Sequence, residues 1–164
     1  MTTLPIILVT AGYALLFVLA VYFTRATLRR AAGSVAGAVI VGLMSVGILV
    51  LGEAAGWWKI PLLSTPFLLL LGLSISFSPI YLVTWRIARR FGGRGLALFA
   101  GIVTIIGAPR DYFIASKFPQ WMVFSPGVAP IFADAATYAG IVLIGHAVMR
   151  LIAGPAQEDG LARM

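Results

Sequence analysis

Cysteine is absent from this chain, and histidine occurs once, at His146. The first absence excludes disulfides, thiolate nucleophiles, cysteine-ligated zinc and iron–sulfur clusters. The second excludes a b-type haem held by two imidazoles of one chain. Acids are also scarce, with five Asp and Glu against twelve Lys and Arg. No DDxxD stretch is present to hold magnesium against a diphosphate, which argues against prenyl transfer, and no HExxH, GxSxG or P-loop occurs. No metal and no cofactor are expected.

What remains is apolar. Hydrophobic residues make up 61% of the chain and charged residues 10%, with a mean hydropathy of +1.04. Soluble domains carry nearer ~25% charged residues. The excess falls into runs of about the ~20 residues that cross a hydrocarbon core of ~30 Å. The fold class expected is therefore all-α: a polytopic integral membrane protein, one transmembrane domain over 1–164. Spans are expected at about 4–23, 32–51, 61–85, 96–114 and 130–153, followed by a polar tail, 154–164. The first run lacks a basic leader and a small-residue cleavage site, so it reads as a retained helix.

Five spans put the two termini on opposite sides. Arg25, Arg29, Arg30, Arg86, Arg89, Arg90, Arg94, Arg150 and Arg163 collect on one side, and Lys59, Arg110 and Lys117 on the other. The positive-inside rule then sets the N-terminus outside and the C-terminus in the cytoplasm. A multi-pass protein of the inner (plasma) membrane is expected, its charge of +7 reporting topology and not a nucleic-acid partner. Membrane lipids are its expected surroundings.

Within the spans, Gly33 and Gly37 form a GxxxG pair, continued by Ala38 and Gly42, which favours close helix approach. Packing inside the bundle explains it, and a homodimer through the Gly33/Gly37 face is the alternative. Ser74, Ser78 and Tyr81 fall at i, i+4 and i+7, one polar helix face that either bonds to a neighbouring helix or lines a cavity. Pro79 is expected to kink its helix. Trp57, Trp58 and Lys59 have the look of an interfacial belt. The connection 116–129 is too apolar for a solvated loop and is expected to lie in the interface or dip into the bundle.

Candidate chemistry centres on 105–138, between two apolar runs. Under the five-span topology Glu53, Asp111 and Asp134, from three separate spans, share the outer end of the bundle. They are the candidate catalytic acids and bases. Arg110, Tyr112, Tyr138, Trp57, Trp58, Trp121, Ser78 and Tyr81 are the candidate substrate-binding residues. A partly desolvated carboxyl can act as a general acid at neutral pH, while a charge-paired neighbour takes a proton back. Arg110 and Asp111 are adjacent, and adjacent helical residues do not face each other, so each is expected to seek a different partner. The plainer alternative is a neutral rim, in which the outer acids and bases pair off at the headgroup level. His146, twelve residues beyond Asp134, should lie toward the cytoplasmic end.

These ingredients suit an integral membrane enzyme acting on a lipophilic small molecule, isoprenoid- or carotenoid-like or another lipid, by cyclisation, isomerisation or hydration. In architecture the chain is similar to small polytopic cyclases and hydratases of carotenoid metabolism, an analogy of fold without a shared signature stretch. A small proton-coupled transporter and a non-catalytic subunit of a membrane complex are the alternatives.

Overall fold

In lipid a backbone N–H or C=O has no water to bond, so an apolar run satisfies itself by winding into a helix. Helices accordingly dominate the computed structural model, which describes residues 4–154. Most of the tail, with Glu158, Asp159 and Arg163, lies outside the described residues. The helices are α1 (Leu4–Thr24), α2 (Leu28–Ala54), α3 (Pro66–Lys117) and α4 (Val128–Ala153). Two short strands, β1 (Trp58–Lys59) and β2 (Val123–Phe124), and a 3-10 turn at Pro61–Ser64 fill the connections. All four helices are long and apolar enough to cross a membrane.

At 52 residues, α3 would be ~78 Å long if straight, more than twice a hydrocarbon core. It is not straight. Gly92 leaves helical geometry at φ 63° and ψ −156°, a conformation that a missing Cβ makes accessible. Leu68, Leu69 and Gly72 line one cavity together with Arg110, Asp111, Ile114 and Ala115, so the two limbs, 66–91 and 93–117, return alongside each other. The reversal is tighter than the sequence suggests. Arg86, Arg89, Arg90 and Arg94, expected in a loop, are helical on either side of Gly92. Pro79 is buried inside the first limb, and the break in helical geometry falls at Gly92.

The packing centre lies where α2, α4 and the first limb of α3 meet. The α2 backbone approaches α4 so closely that a Cβ on Gly37 would stand 2.6 Å from the Gly145 carbonyl oxygen, and one on Gly33 3.1 Å from that of Met149. The Tyr81 ring lies over Gly145, fully buried, and its hydroxyl donates to the Ile141 carbonyl at 2.9 Å. Ala38, Val41, Phe77, Leu82 and Trp85 complete this core. The Gly33/Gly37 face that a homodimer would need is thus covered by α4 of the same chain. Helix α1 packs against α3 and leaves most of its apolar surface open, as suits a helix whose solvent is lipid.

At the other end, the connections on either side of α3 are tied together. Strands β1 and β2 pair antiparallel, Trp58 opposite Phe124 and Lys59 opposite Val123. Ser125 adds a bond from its N–H to the Trp57 carbonyl (2.9 Å) and one from its hydroxyl to the Gly56 carbonyl (2.6 Å). Irregular backbone here finds its partners in other irregular backbone.

The central contact is testable. Gly37→Leu would drive a side chain into the α4 backbone, an overpacking cost of about 1–3 kcal/mol or more. Its melting temperature in mild detergent should fall well below that of the parent. Gly47→Leu, at a position with open space around it, should leave the melting temperature nearly unchanged. An equal effect of the two would remove the α2–α4 approach from the centre of the fold.

Candidate functional site

Depth along the helices decides which acids meet. Asp111 stands six residues before the end of α3 and Asp134 six residues after the start of α4, about 9 Å inside each end. Glu53 is one residue from the end of α2, on its last turn.

Tyr138 of α4 joins the two chain segments. Its ring lies flat on Gly107, where an added Cβ would come 2.7 Å from three ring carbons. Gly107 and Asp111 are one helical turn apart on the same face. A ring resting on the first therefore carries its hydroxyl to the second. The Tyr138 hydroxyl donates to Asp111 Oδ2 at 2.6 Å and accepts from Arg110 Nη2 at 2.6 Å. Arg110 closes the triangle on Asp111 Oδ1, with Nη2 at 2.8 Å and Nε at 3.0 Å. The expected separation of Arg110 and Asp111 is therefore overturned. The long guanidinium arm bends around the helix, because the Tyr138 hydroxyl offers an acceptor beside its neighbour's carboxylate.

This triad forms one wall of a cavity of about 380 Å³. Leu49 of α2, Ile60, Leu69, Leu73 and Phe77 of the first limb, and Trp121 make up much of the remaining, apolar wall. Helix α1 contributes Val9, Thr10 and Tyr13, and Tyr13 lies within electrostatic range of Arg110. The arrangement is a largely apolar chamber with a few hydrogen-bonding groups in its wall.

The other expected residues divide. Asp134 is buried, 7% exposed, behind the triad and off the cavity wall. It is within electrostatic range of Asp111 and Arg110, and its Oδ2 has no hydrogen-bond partner. The Tyr112 ring stacks on Phe124 at 3.9 Å between centroids, with its hydroxyl buried and unpartnered, so it bonds to none of the acids. Glu53 is exposed and does not join the aspartates, being a full turn too shallow. Convergence of three acids is thus corrected to a pair, Asp111 and Asp134, with no third ligand-type side chain beside them among the described residues. The neutral rim is not formed as drawn either, since Lys117 sits over the Phe113 ring.

Trp58 does not face outward. It is 2% exposed and packs on Gly52, with its indole N–H donating to the Leu49 carbonyl at 2.9 Å. Trp57 stays partly exposed beside it. Ser78 donates to the Ser74 carbonyl of its own helix and Tyr81 to α4, so that polar face is helix contact and not cavity wall. His146 is buried among the helices, with Nδ1 unpartnered.

Several wall residues escaped the sequence reading. Thr10 and Tyr13 had a usable signal: they are polar residues at i, i+3 in an otherwise greasy span, the spacing of one helix face. Ser76, which lines the cavity, lies on the side of its helix opposite Ser74 and Ser78. No spacing marks Gly107, because its role follows from a ring on another helix.

No protein family, curated protein or solved structure matches this chain.

The Arg110–Asp111–Tyr138 triangle makes a quantitative prediction. Tyr138→Phe would leave a carboxylate oxygen short of a donor, at a cost of about 1–3 kcal/mol. In a double-mutant cycle with Asp111→Ala, thermal unfolding in detergent should return a coupling energy of about 0.5–3 kcal/mol. Additive effects would mean that the two side chains do not bond.

Proposed function

We propose that this chain is a membrane enzyme that binds a lipophilic, oxygen-bearing small molecule in the cavity beside Arg110, Asp111 and Tyr138 and isomerises it by proton transfer. The single observation that supports this reading is the placement of a hydrogen-bonded Arg–Asp–Tyr triangle on the wall of an otherwise apolar chamber of about 380 Å³. Apolar walls suit an isoprenoid or similar chain, because burial gains about 25 cal/mol per Å² of apolar surface. A partly exposed triangle of matched donors and acceptors on the cavity wall is within reach of a bound molecule, and it suits a substrate carbonyl or hydroxyl.

Of cyclisation, isomerisation and hydration, the triangle fits isomerisation best. A substrate carbonyl accepting from Tyr138 and Arg110 would take the Tyr138 hydrogen bond away from Asp111 Oδ2. The released carboxylate oxygen then removes a proton from the carbon next to the carbonyl. The electron pair moves onto the carbonyl oxygen, which Tyr138 and Arg110 stabilise. Return of the proton from Asp111 to a different carbon shifts the double bond, and the enzyme ends as it began.

Such a site requires a membrane setting. Counting the two limbs of α3 as separate crossings gives five, with Arg25 and Gly93 on the arginine-rich cytoplasmic side and Gly56 and Gly127 outside, in the inner (plasma) membrane. The absence of native cysteine makes this easy to check. Single cysteines at Gly56 and Gly127 should react with an impermeant maleimide added to intact cells, and a cysteine at Gly93 should react only after permeabilisation. Labelling of Gly93 from outside would overturn the topology.

The reaction is checked by extracting the lipids that co-purify with the protein and incubating them with it in deuterated water. Solvent deuterium should enter one lipid species whose double-bond position changes. Asp111→Asn should lower that rate by about 10²–10⁴-fold, the usual contribution of a general base, while the lipid still co-purifies. Ser76→Phe, which fills the chamber, should abolish co-purification. The reading fails if Asp111→Asn exchanges at the parent rate. A proton-coupled carrier is the second reading, favoured by the unbonded Asp134 Oδ2. It would instead give proton flux in liposomes that Asp134→Asn stops.

A further inference from the structure

A second concavity lies at the end of the bundle opposite Asp111, with a volume of about 360 Å³. Arg30 of α2 and Arg86, Arg89 and Arg90 of α3 line it around Trp85, with Thr24 at the end of α1. Among the described residues no carboxylate does. Spacing explains the gathering on α3, since positions 86, 89 and 90 are three and four residues apart and share a helix face.

We propose that this pocket binds a phosphate group, whether on an anionic lipid headgroup or on a small water-soluble phosphate. The positive-inside rule accounts for arginines on this side of the bundle but not for their concentration around one concavity. Arg25 and Arg94 belong to the same side and do not line it. Guanidinium forks match phosphate oxygens in pairs, which lysine does not. Arg30 is held in place for such a contact, stacked 4.2 Å over the Trp85 ring, and Arg89 lies 5.5 Å from the same ring. Arg86 reaches the Thr24 carbonyl at only 3.4 Å, a long bond that a phosphate oxygen would outcompete. Trp85 itself is 6% exposed, and its indole N–H has no partner. A buried donor left unmet is a cost, and a phosphate seated among these arginines supplies acceptors next to it. The pocket also takes guanidiniums from two helices that pack against each other, so a ligand here would tie α2 to α3.

The test uses the full chain in two settings. Pyrophosphate is titrated against the protein in detergent, and the protein in nanodiscs of neutral lipid is titrated with phosphatidic acid, binding being followed by thermal shift and by tryptophan fluorescence. Saturable binding in either setting supports the pocket. Binding of pyrophosphate identifies a soluble phosphate as sufficient, and binding of phosphatidic acid alone identifies the lipid headgroup. Arg86→Gln and Arg90→Gln, both at exposed positions that folding does not require, should each weaken binding by roughly tenfold, as expected for a lost charge-assisted bond. Arg25→Gln and Arg94→Gln should change it by less than about twofold, the effect of a screened distant charge. Equal weakening by all four substitutions would reduce the effect to the general field of the arginine-rich end and overturn the proposal. So would the absence of saturable binding by either probe. None of these substitutions touches the Asp111 cavity, so this result and the fate of the proposed isomerisation are independent.

Discussion

The close approach of α2 and α4 at Gly37 and Gly145 is the contact on which the rest of this bundle depends. Helices in lipid gain nothing from hiding apolar surface, so they associate through van der Waals contact and backbone proximity. Any side chain at Gly37 would separate the two backbones. Gly145 is shared between Gly37 and the Tyr81 ring, which lets α3 join the same contact from the other side. The Tyr81 hydroxyl then finds the Ile141 carbonyl on α4, and a buried polar group becomes a third tie between the helices.

The same device recurs at the cavity end. Trp58 rests on Gly52 and Tyr138 on Gly107, each ring on a glycine of another segment and each with its polar atom bonded beyond it. A flat ring on a bare backbone fixes where its edge points more firmly than packing among flexible side chains does. In the first case the result seals the connection after α2. In the second it delivers a hydroxyl to Asp111 and so creates the triad. The β1–β2 pairing holds the connections around this end in register, which keeps Trp121 on the cavity wall.

Charge is divided along the bundle. Asp111, Asp134 and Arg110 form an almost balanced cluster at one end, and arginines gather without a described carboxylate at the other. The balanced end satisfies its charges through internal hydrogen bonds. The unbalanced end lines its concavity with charge of one sign. One short chain thereby carries two chemically different concavities, separated by the glycine-based core.

The sequence by itself determined the class. Hydropathy and run length gave apolar helices, the turn in α3 fell between the spans expected at 61–85 and 96–114, and Asp111, Arg110, Tyr138 and Trp121 were recognised as a polar and aromatic group between greasy runs. It also supplied the small-residue stripe on α2. What only the tertiary structure decided was direction around each helix axis and depth within each end. Periodicity shows that Ser74, Ser78 and Tyr81 share a face, but not that the face meets α4 while Ser76 meets the cavity. Sequence position puts Glu53 near Asp111 and Asp134, but a difference of one helical turn and the rotation of α2 leave it outside. Adjacency argued against an Arg110–Asp111 pair, and a tyrosine from another helix made that pair favourable. The physical reason is the same in each case. A helix fixes its own periodicity through local backbone bonds, whereas its rotation and depth are set by the glycines and rings of the helices it touches.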